Sequence, residues 1–423
     1  MRVFKFGGAS VKNAEAVKNV ASVVQNFGQG PLLVVISAMG KTTNKLEELV
    51  DAYYYNRENK KELFSDIKSF HQEITDSLFI AENDFYEVEN LLIELECIIE
   101  KRRDENASYD LEYDKIVPFG ELISTKIVSI FLNKYGVKNR WIDARNFVIT
   151  SSKHRSASVL WDESVPFIQN NLRILAERQT IITQGFIGRD LNHNNTTLGR
   201  EGSDYSAAIF AFGLDAESVT IWKDVEGIMN ADPKQFSEAQ LIPKVSYNEA
   251  IELAYYGASV IHPKTIQPLK NKSIPLFVKS FINPELPGTE VIENDSRTLN
   301  DTQCYIVKHD QSLITIASRD FSFIVEDNLE LIFSTFNQVG IQLNLMQNSA
   351  ISFMSCFNKN DAKTEAILEV LKDKFTVQIN SGYTLLTVFN YNDAFNQLDK
   401  IIDGRDIALE QKSTSALQLL LIN

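Results

Sequence analysis

The sequence predicts an open, mostly parallel α/β sheet sandwiched by helices, followed by a smaller α+β region of the ferredoxin-like kind. Three observations carry this. Residues 2–6 and 32–37 are apolar runs rich in β-branched residues, and residues 14–27 between them have apolar positions at helical spacing. Such a β–loop–α–β opening calls for parallel strands with crossover helices. Past the turn-forming stretch Asn283-Pro284-Glu285-Leu286-Pro287-Gly288, the order changes to strand–helix–strand–strand–helix, the ferredoxin-like signature.

The elements follow in order. Residues 45–105 hold neither Pro nor Gly and are rich in Glu, Leu, Ile and Lys, so they read as two or three helices interrupting the alternation. Strand-like runs are expected at 147–150, 180–184, 218–222 and 275–279. Helices are expected at 120–134, 163–177, 204–213 and 246–256. In the second region, strands are expected over Cys304–Ala317, Ser322–Glu326, Ile341–Met346 and Ile351–Asn358. Helices are expected over Leu329–Val339 and Asp361–Lys374. A weaker second copy follows, with strands at Phe375–Ile379, Tyr383–Phe389 and Ala416–Ile422 and a helix at 393–402. The expected domains are 1–298, with a helical insert at about 45–115, and 299–423.

Composition removes several classes. The 423 residues are 44% hydrophobic and 23% charged, ordinary for a globular chain of two or three domains. No run of about 18 apolar residues suggests a membrane span, and Met1-Arg2-Val3-Phe4-Lys5-Phe6 reads as a strand rather than a leader. The three cysteines, Cys97, Cys304 and Cys356, have neither metal-ligand nor disulfide spacing, which fits the reducing cytoplasm. A net charge of −14 argues against nucleic acid as a partner, though not against a small anion.

Six segments could carry chemistry. Lys5 and the turn Gly7-Gly8-Ala9-Ser10 follow the first strand; glycines let backbone N–H groups approach an anion and a lysine adds a point charge. Ser37-Ala38-Met39-Gly40-Lys41-Thr42-Thr43 has the tail of a P-loop, but the glycine required five residues before Gly40 is Val35, so it is a decoy. Its hydroxyls, those of Ser37 and Thr43, suit either a helix cap or a substrate carboxylate. Glu121 opens a helix, where it serves the helix dipole or binds an ammonium group.

The densest segment is Gly185-Phe186-Ile187-Gly188 with Gly199-Arg200-Glu201-Gly202-Ser203-Asp204. It places an arginine fork and a helix N-terminus together, a good anion site. The fifth, Trp222-Lys223-Asp224 through Met229, is a loop at a strand end, where α/β proteins bind ligands or merely turn. The sixth, Tyr256-Gly257-Ala258-Ser259-Val260-Ile261-His262-Pro263-Lys264, brings a lysine to another helix start. The lone His262 carries no assigned chemistry.

In this order, KFGGAS, SAMGKTTN, PFGELIS, TQGFIG, GREGSDYSAA, WKDVEGIMNADP and YGASVIHPKT resemble the aspartate kinase family over essentially the whole chain. The resemblance implies an amino-acid-kinase fold over 1–298 and paired ACT domains over 299–423. It implies an ATP-dependent phosphotransferase with a carboxyl acceptor, making β-aspartyl phosphate from L-aspartate with ATP and Mg²⁺. The ion would be held mainly by phosphates and water, with no protein metal site. The product enters lysine, threonine, methionine and, in bacteria, diaminopimelate synthesis.

The same resemblance implies catalytic roles for Lys5 and Asp204. Aspartate would meet Ser37, Thr43, Glu121, Phe186, Arg200 and Ser203, with Arg200 on the α-carboxylate and Glu121 on the amine. The nucleotide would meet Gly7, Gly8, Ser10, Trp222, Lys223, Asp224, Met229 and Lys264. A lysine or threonine effector would meet Asn344, Gln347 and Asn348, and the chain would pair as a homodimer or higher homo-oligomer through its ACT domains. Two departures stand out: Ser259 replaces a family lysine, for which Lys264 is the candidate substitute, and Asn344 replaces an effector-binding aspartate. The alternatives are another amino-acid kinase of the same fold and a catalytically weak amino-acid sensor. With no GxGxxG after residue 300, residues 300–423 are not expected to form a dehydrogenase domain.

Overall fold

The computed structural model describes residues 1–78, 82–258, 261–293, 302–320, 322–391 and 401–423, with the backbone alone at 82–84. It divides into two compact units. The first comprises Met1–Ile228, Leu241–Ile251 and Ser259–Leu299; the second comprises Met229–Gln240, Glu252–Ala258 and Asn300–Asn423. The domain boundary expected at 298/299 lies outside the described residues.

The first unit begins with β1 (Arg2–Phe6), α1 (Ala14–Phe27), β2 (Leu32–Ile36), α2 (Thr42–Tyr54), α3 (Lys60–Ser77), α4 (Glu82–Glu100), α5 (Tyr109–Ile116) and α6 (Phe119–Lys134). It continues with β3 (Asn139–Trp141), β4 (Ile149–Thr150), α7 (Trp161–Arg178), β5 (Thr180–Gln184), β6 (Ile187–Asp190), β7 (Asn195–Thr197), α8 (Gly202–Leu214) and β8 (Ser218–Lys223). It closes with β9 (Lys244–Ser246), α9 (Tyr247–Tyr256, its last residues in the second unit), α10 (Pro263–Asn271), β10 (Leu276–Ser280) and β11 (Thr289–Ile292).

Eight strands form one sheet in the order β3-β5-β2-β1-β8-β10-β11-β9. Central β1 pairs in parallel with β2 on one side and β8 on the other, with Lys5 opposite Val35 and Ile221. All five residues of β2 are buried, as expected of a strand covered on both faces. Because the chain leaves β1 toward β2 while β8 lies on its other side, a crevice opens above the C-terminal end of β1. The parallel-sheet expectation holds, and the expected strands and helices fall within a few residues of those observed. The sequence reading placed a helix start near Lys264, where α10 begins, but did not find β3, β9, β11 or the hairpin β6–β7. These strands are short and polar (Asn195-Thr196-Thr197), and tertiary pairing rather than pattern creates them.

Among the described residues one helical run, Tyr109–Lys134, is long and apolar enough to cross a membrane, contrary to the sequence expectation. Of that apolar window, 83% is buried inside the protein, and twelve residues of α6 are buried. The longer part of the run, α6, is a core helix packed against β2, β3 and β5.

The second unit contains β12 (Cys304–Ser318), α11 (Glu326–Val339), β13 (Leu343–Asn348), β14 (Ser352–Asn358), α12 (Asp361–Leu371), β15 (Phe375–Phe389), β16 (Ile407–Lys412) and β17 (Ala416–Ile422). They form an antiparallel sheet ordered β13-β14-β12-β15-β17-β16. Two expectations change here. Ser322–Glu326 is not a strand, since α11 already begins at Glu326. The two copies are also not in tandem: β15 is one strand pairing with β12 along its length, 311–318 on 375–383 and 304–308 on 385–389. A register shift between Lys308 and Gln311, with Asp310 at φ 53°, kinks β12 where one half gives way to the other. The helix expected at 393–402 lies almost wholly outside the described residues.

Candidate active site

A cavity of about 550 Å³ sits at the C-terminal strand ends. It is lined by Lys5, Ser37, Thr43, Glu121, Phe186, Arg200, Ser203, Asp204 and Lys223, together with Glu47, Tyr113, Arg155 and the backbone around Gly199–Gly202. Nine residues singled out in the sequence therefore converge on one space, although they are spread over 219 positions from Lys5 to Lys223, both ends counted.

The local backbone explains how. Gly8 lets the turn after β1 lie against the loop after β2: a Cβ there would stand 2.8 Å from the Ala38 carbonyl oxygen and 2.9 Å from that of Gly40. Gly185 does the same for α8, since a Cβ would fall 2.5 Å from Cβ of Ser203. Phe186 (φ 68°) and Glu201 (φ 53°) hold left-handed backbone on the cavity rim, a strain that non-glycine residues accept mainly at functional sites.

Lys5 and Asp204 form the centre. Lys5 is 8% and Asp204 3% exposed, and Nζ lies 2.6 Å from Oδ1. Lys223 Nζ stands 3.8 Å from Oδ2, so one buried carboxylate serves two ammonium groups from adjacent strands. Asp204 is in the first turn of α8, where the helix dipole also favours its charge.

Glu121 is 3% exposed. The Ala38 N–H donates to its Oε1 at 3.2 Å, while Oε2 is buried with no hydrogen-bond partner among the described residues. Burial pushes its carboxyl up to about 8, with the Ala38 N–H and the Lys5 charge pulling the other way. An unpartnered carboxylate oxygen beside a cavity is a ready acceptor for a cationic ligand group. Ser124 hydroxyl fixes the chain before Ala38 by donating to the Ser37 carbonyl at 2.7 Å.

The other residues fall elsewhere. Ser10 is buried and its hydroxyl donates to the Gly7 carbonyl at 2.6 Å, closing the turn. Trp222 is 2% exposed and lies in the core, stacked on Phe6 and edge-on to Phe4, because its strand position faces α1. Asp224 and Lys264 are exposed and do not line the cavity. The start of α10 is nonetheless near the Arg200 loop. Burial lowers the His262 imidazole, and the charges of Glu201, Lys264, Arg200 and Asp204 all reach it. Met229 belongs to the second unit, and Ser259 lies outside the described residues.

In the second unit, Asn344 is engaged on both sides of its amide. Its Oδ1 accepts from Lys308 Nζ at 2.7 Å, and its Nδ2 donates to Gln311 Oε1 at 2.7 Å and Asn358 Oδ1 at 2.9 Å. Gln347 and Asn348 are exposed on β13. Sequence reasoning missed Glu47, Tyr113 and Arg155. The only signal available was the basic pair His154-Arg155 in a serine-rich loop. Among the described residues no group of three or more His, Cys, Asp or Glu side chains could cage a cation.

Comparison with known proteins agrees with this picture. Residues 1–280 match the amino acid kinase family. The chain is 33% identical over 367 residues to the chloroplastic aspartokinase 2 of Arabidopsis thaliana, covering 83% of this chain and 65% of that protein. It is 33% identical over 358 residues to aspartokinase 1 of the same plant, covering 83% and 62%. The chain thus spans less than two thirds of the length of these relatives.

Among solved structures, aspartokinase III of E. coli in complex with aspartate and ADP superposes with a TM-score of 0.84 at 26% identity, covering 100% of this chain and 96% of that one. The same protein in complex with lysine and aspartate gives 0.84 at 27%, covering 99% and 95%. The architecture is accordingly the amino-acid-kinase fold followed by an antiparallel ACT-type region. With the family match spanning residues 1–280 of 423 and the cavity in place above β1, this chain belongs to the amino acid kinase family.

Proposed function

We propose that the chain is an aspartate kinase, transferring the γ-phosphoryl group of ATP to the β-carboxylate of L-aspartate. The observation that carries this is the cavity itself. It sets a guanidinium, a carboxylate oxygen without a partner and the buried Lys5–Asp204 pair around one space. These are complements for the α-carboxylate, the ammonium and the transferring phosphoryl group of an amino-acid acceptor. The aspartokinase relatives and the aspartate- and ADP-bound E. coli structure support the choice of acceptor and nucleotide.

The reaction needs positioning and charge neutralisation more than a strong base. A β-carboxylate is already ionised at neutral pH. Its oxygen forms a bond to the γ-phosphorus as the bond to the ADP oxygen breaks. Arg200 grips the α-carboxylate, Glu121 takes the ammonium, and Ser37, Thr43, Phe186 and Ser203 fix the chain between them. Lys5, held by Asp204, neutralises the phosphoryl oxygens, and Lys223 adds charge on the nucleotide side. Gly7, Gly8, Ser10, Asp224 and Lys264, with the backbone of Trp222, complete the nucleotide's surroundings. Mg²⁺, when bound, supplies further phosphate neutralisation. Such an ion would be held mainly by phosphates and water.

The reading extends to regulation and context. The first unit acts as the catalytic domain and the second as paired regulatory ACT domains for lysine or threonine, with Asn344, Gln347 and Asn348 as effector contacts. The chain acts as a homo-oligomer in the cytoplasm, at the entry to lysine, threonine, methionine and diaminopimelate synthesis. The test is ATP-dependent hydroxamate formation with aspartate or glutamate, with and without lysine or threonine. Activity on glutamate but not aspartate, or on neither, overturns the proposal.

A further inference from the structure

Three residues of the cavity wall belong to none of the segments singled out in the sequence: Glu47 on α2, Tyr113 on α5 and Arg155 between β4 and α7. Arg155 has left-handed backbone, φ 61°, which a side chain with a Cβ adopts only under compulsion. Asp114, 0% exposed, supplies that compulsion. Its Oδ2 accepts the Arg155 N–H at 3.1 Å and lies 2.9 Å from His154 Nδ1. Its Oδ1 accepts the Thr197 hydroxyl at 2.7 Å. Thr197 ends the strand that leads to Arg200, so one buried carboxylate fixes both arginine-bearing segments. The Arg155 guanidinium then lies 4.5 Å from the Tyr113 ring centroid and donates to Asp110 Oδ1 at 3.2 Å. A plain surface arginine requires neither the strained backbone nor the tyrosine beneath it.

We propose that Arg155 is a second guanidinium of the acceptor pocket, a specificity residue that meets the α-carboxylate alongside Arg200. This rests on the reading of the cavity as an aspartate pocket. The β-carboxylate has to face Lys5, so the α-carboxylate is the charge left for the arginines. Asp110 is the anion that Arg155 exchanges for it. Their ion pair is about half exposed on both sides and so contributes little by itself, whereas a guanidinium stacked on a tyrosine is already oriented for a carboxylate.

The test compares Arg155→Gly, Arg155→Lys and Asp110→Ala by steady-state kinetics and by calorimetric titration with L-aspartate. Glycine accepts φ 61° without strain, so the loop keeps its path. Arg155→Gly should raise both Kd and KM for aspartate about tenfold, the loss falling on KM rather than kcat. Arg155→Lys should fall between. Asp110→Ala breaks the same ion pair but keeps the guanidinium, and should leave aspartate affinity at or above that of the parent chain. Unchanged affinity in Arg155→Gly overturns the inference, as does a parallel loss in Asp110→Ala, which would make the pair purely structural. If the parent chain neither binds nor phosphorylates aspartate, the functional reading falls as well. If it does both and Arg155→Gly matches it, only the inference falls.

Discussion

Each unit ties a lysine ammonium to a polar side chain, and the two are treated oppositely. Lys5 in the first unit faces a carboxylate, Asp204, at 2.6 Å beside an open cavity. Lys308 in the second unit meets an amide oxygen, that of Asn344, at 2.7 Å. Asn344 is itself tied to Gln311 and Asn358, and burial lowers the Lys308 ammonium from its ordinary value. A cation paired with a carboxylate at the edge of a cavity is placed to lend its charge to an incoming phosphate. A cation held by amide dipoles is a strut, ordering the sheet without offering charge to a ligand.

The sharpest way to break this comparison is Lys5→Ala. If Lys5 serves the transferring phosphoryl group as proposed, its loss should lower kcat by about 10²–10³-fold, measured at saturating aspartate and ATP; near-normal turnover would remove Lys5 from that role. Next comes Arg200→Ala, expected to raise KM for aspartate about 10²-fold with a smaller change in kcat.

Glu121 gives a pH prediction. With its carboxyl raised to about 8, it is protonated at neutral pH and must lose that proton to accept an ammonium group. The KM for aspartate should therefore fall as pH rises from 6 toward 8, by at most about tenfold per unit, and level off above. Glu121→Gln should flatten the profile. The sign reverses for stability: between its ordinary 4.5 and about 8 the folded chain keeps a proton that the unfolded chain has released. Its contribution to stability thus declines as pH rises through that window.

The smallest effect on activity belongs to the other lysine. Lys308→Met should remove a charge-assisted hydrogen bond of about 1.5–3 kcal/mol and lower the Tm. Effector-free kcat should stay within about twofold. A collapse of turnover would show that the second lysine is no mere strut.

The legible parts of this molecule were those written in local chemistry. Gly199, Arg200, Gly202 and Asp204 are glycine-turn and helix-start signals, and they converge on the cavity. Buried β2 and β8 announce themselves as apolar runs. What escaped depends on distant partners. Strand β7 exists because β6 pairs with it, and Arg155 joins the cavity because Asp114, 41 residues earlier, takes its N–H. Trp222 misled for the converse reason: its motif position points to a ligand, yet its side chain faces Phe4 and Phe6. The interleaving of β12 and β15 was hidden because a strand that serves two half-sheets looks like two strands separated by a polar step.

The chain's return path has a genetic corollary. Residues 229–240 and 252–258 belong to the second unit although they precede Leu299, and Ala231 and Phe236 pack with Tyr305, Leu386 and Val388. No single cut separates the two units. A gene ended after codon 299 would deliver a first unit bearing orphaned apolar loops, and one begun there would deliver a sheet missing part of its own core. Exchanging the second unit between relatives would therefore demand three coordinated exchanges, one for each of its segments.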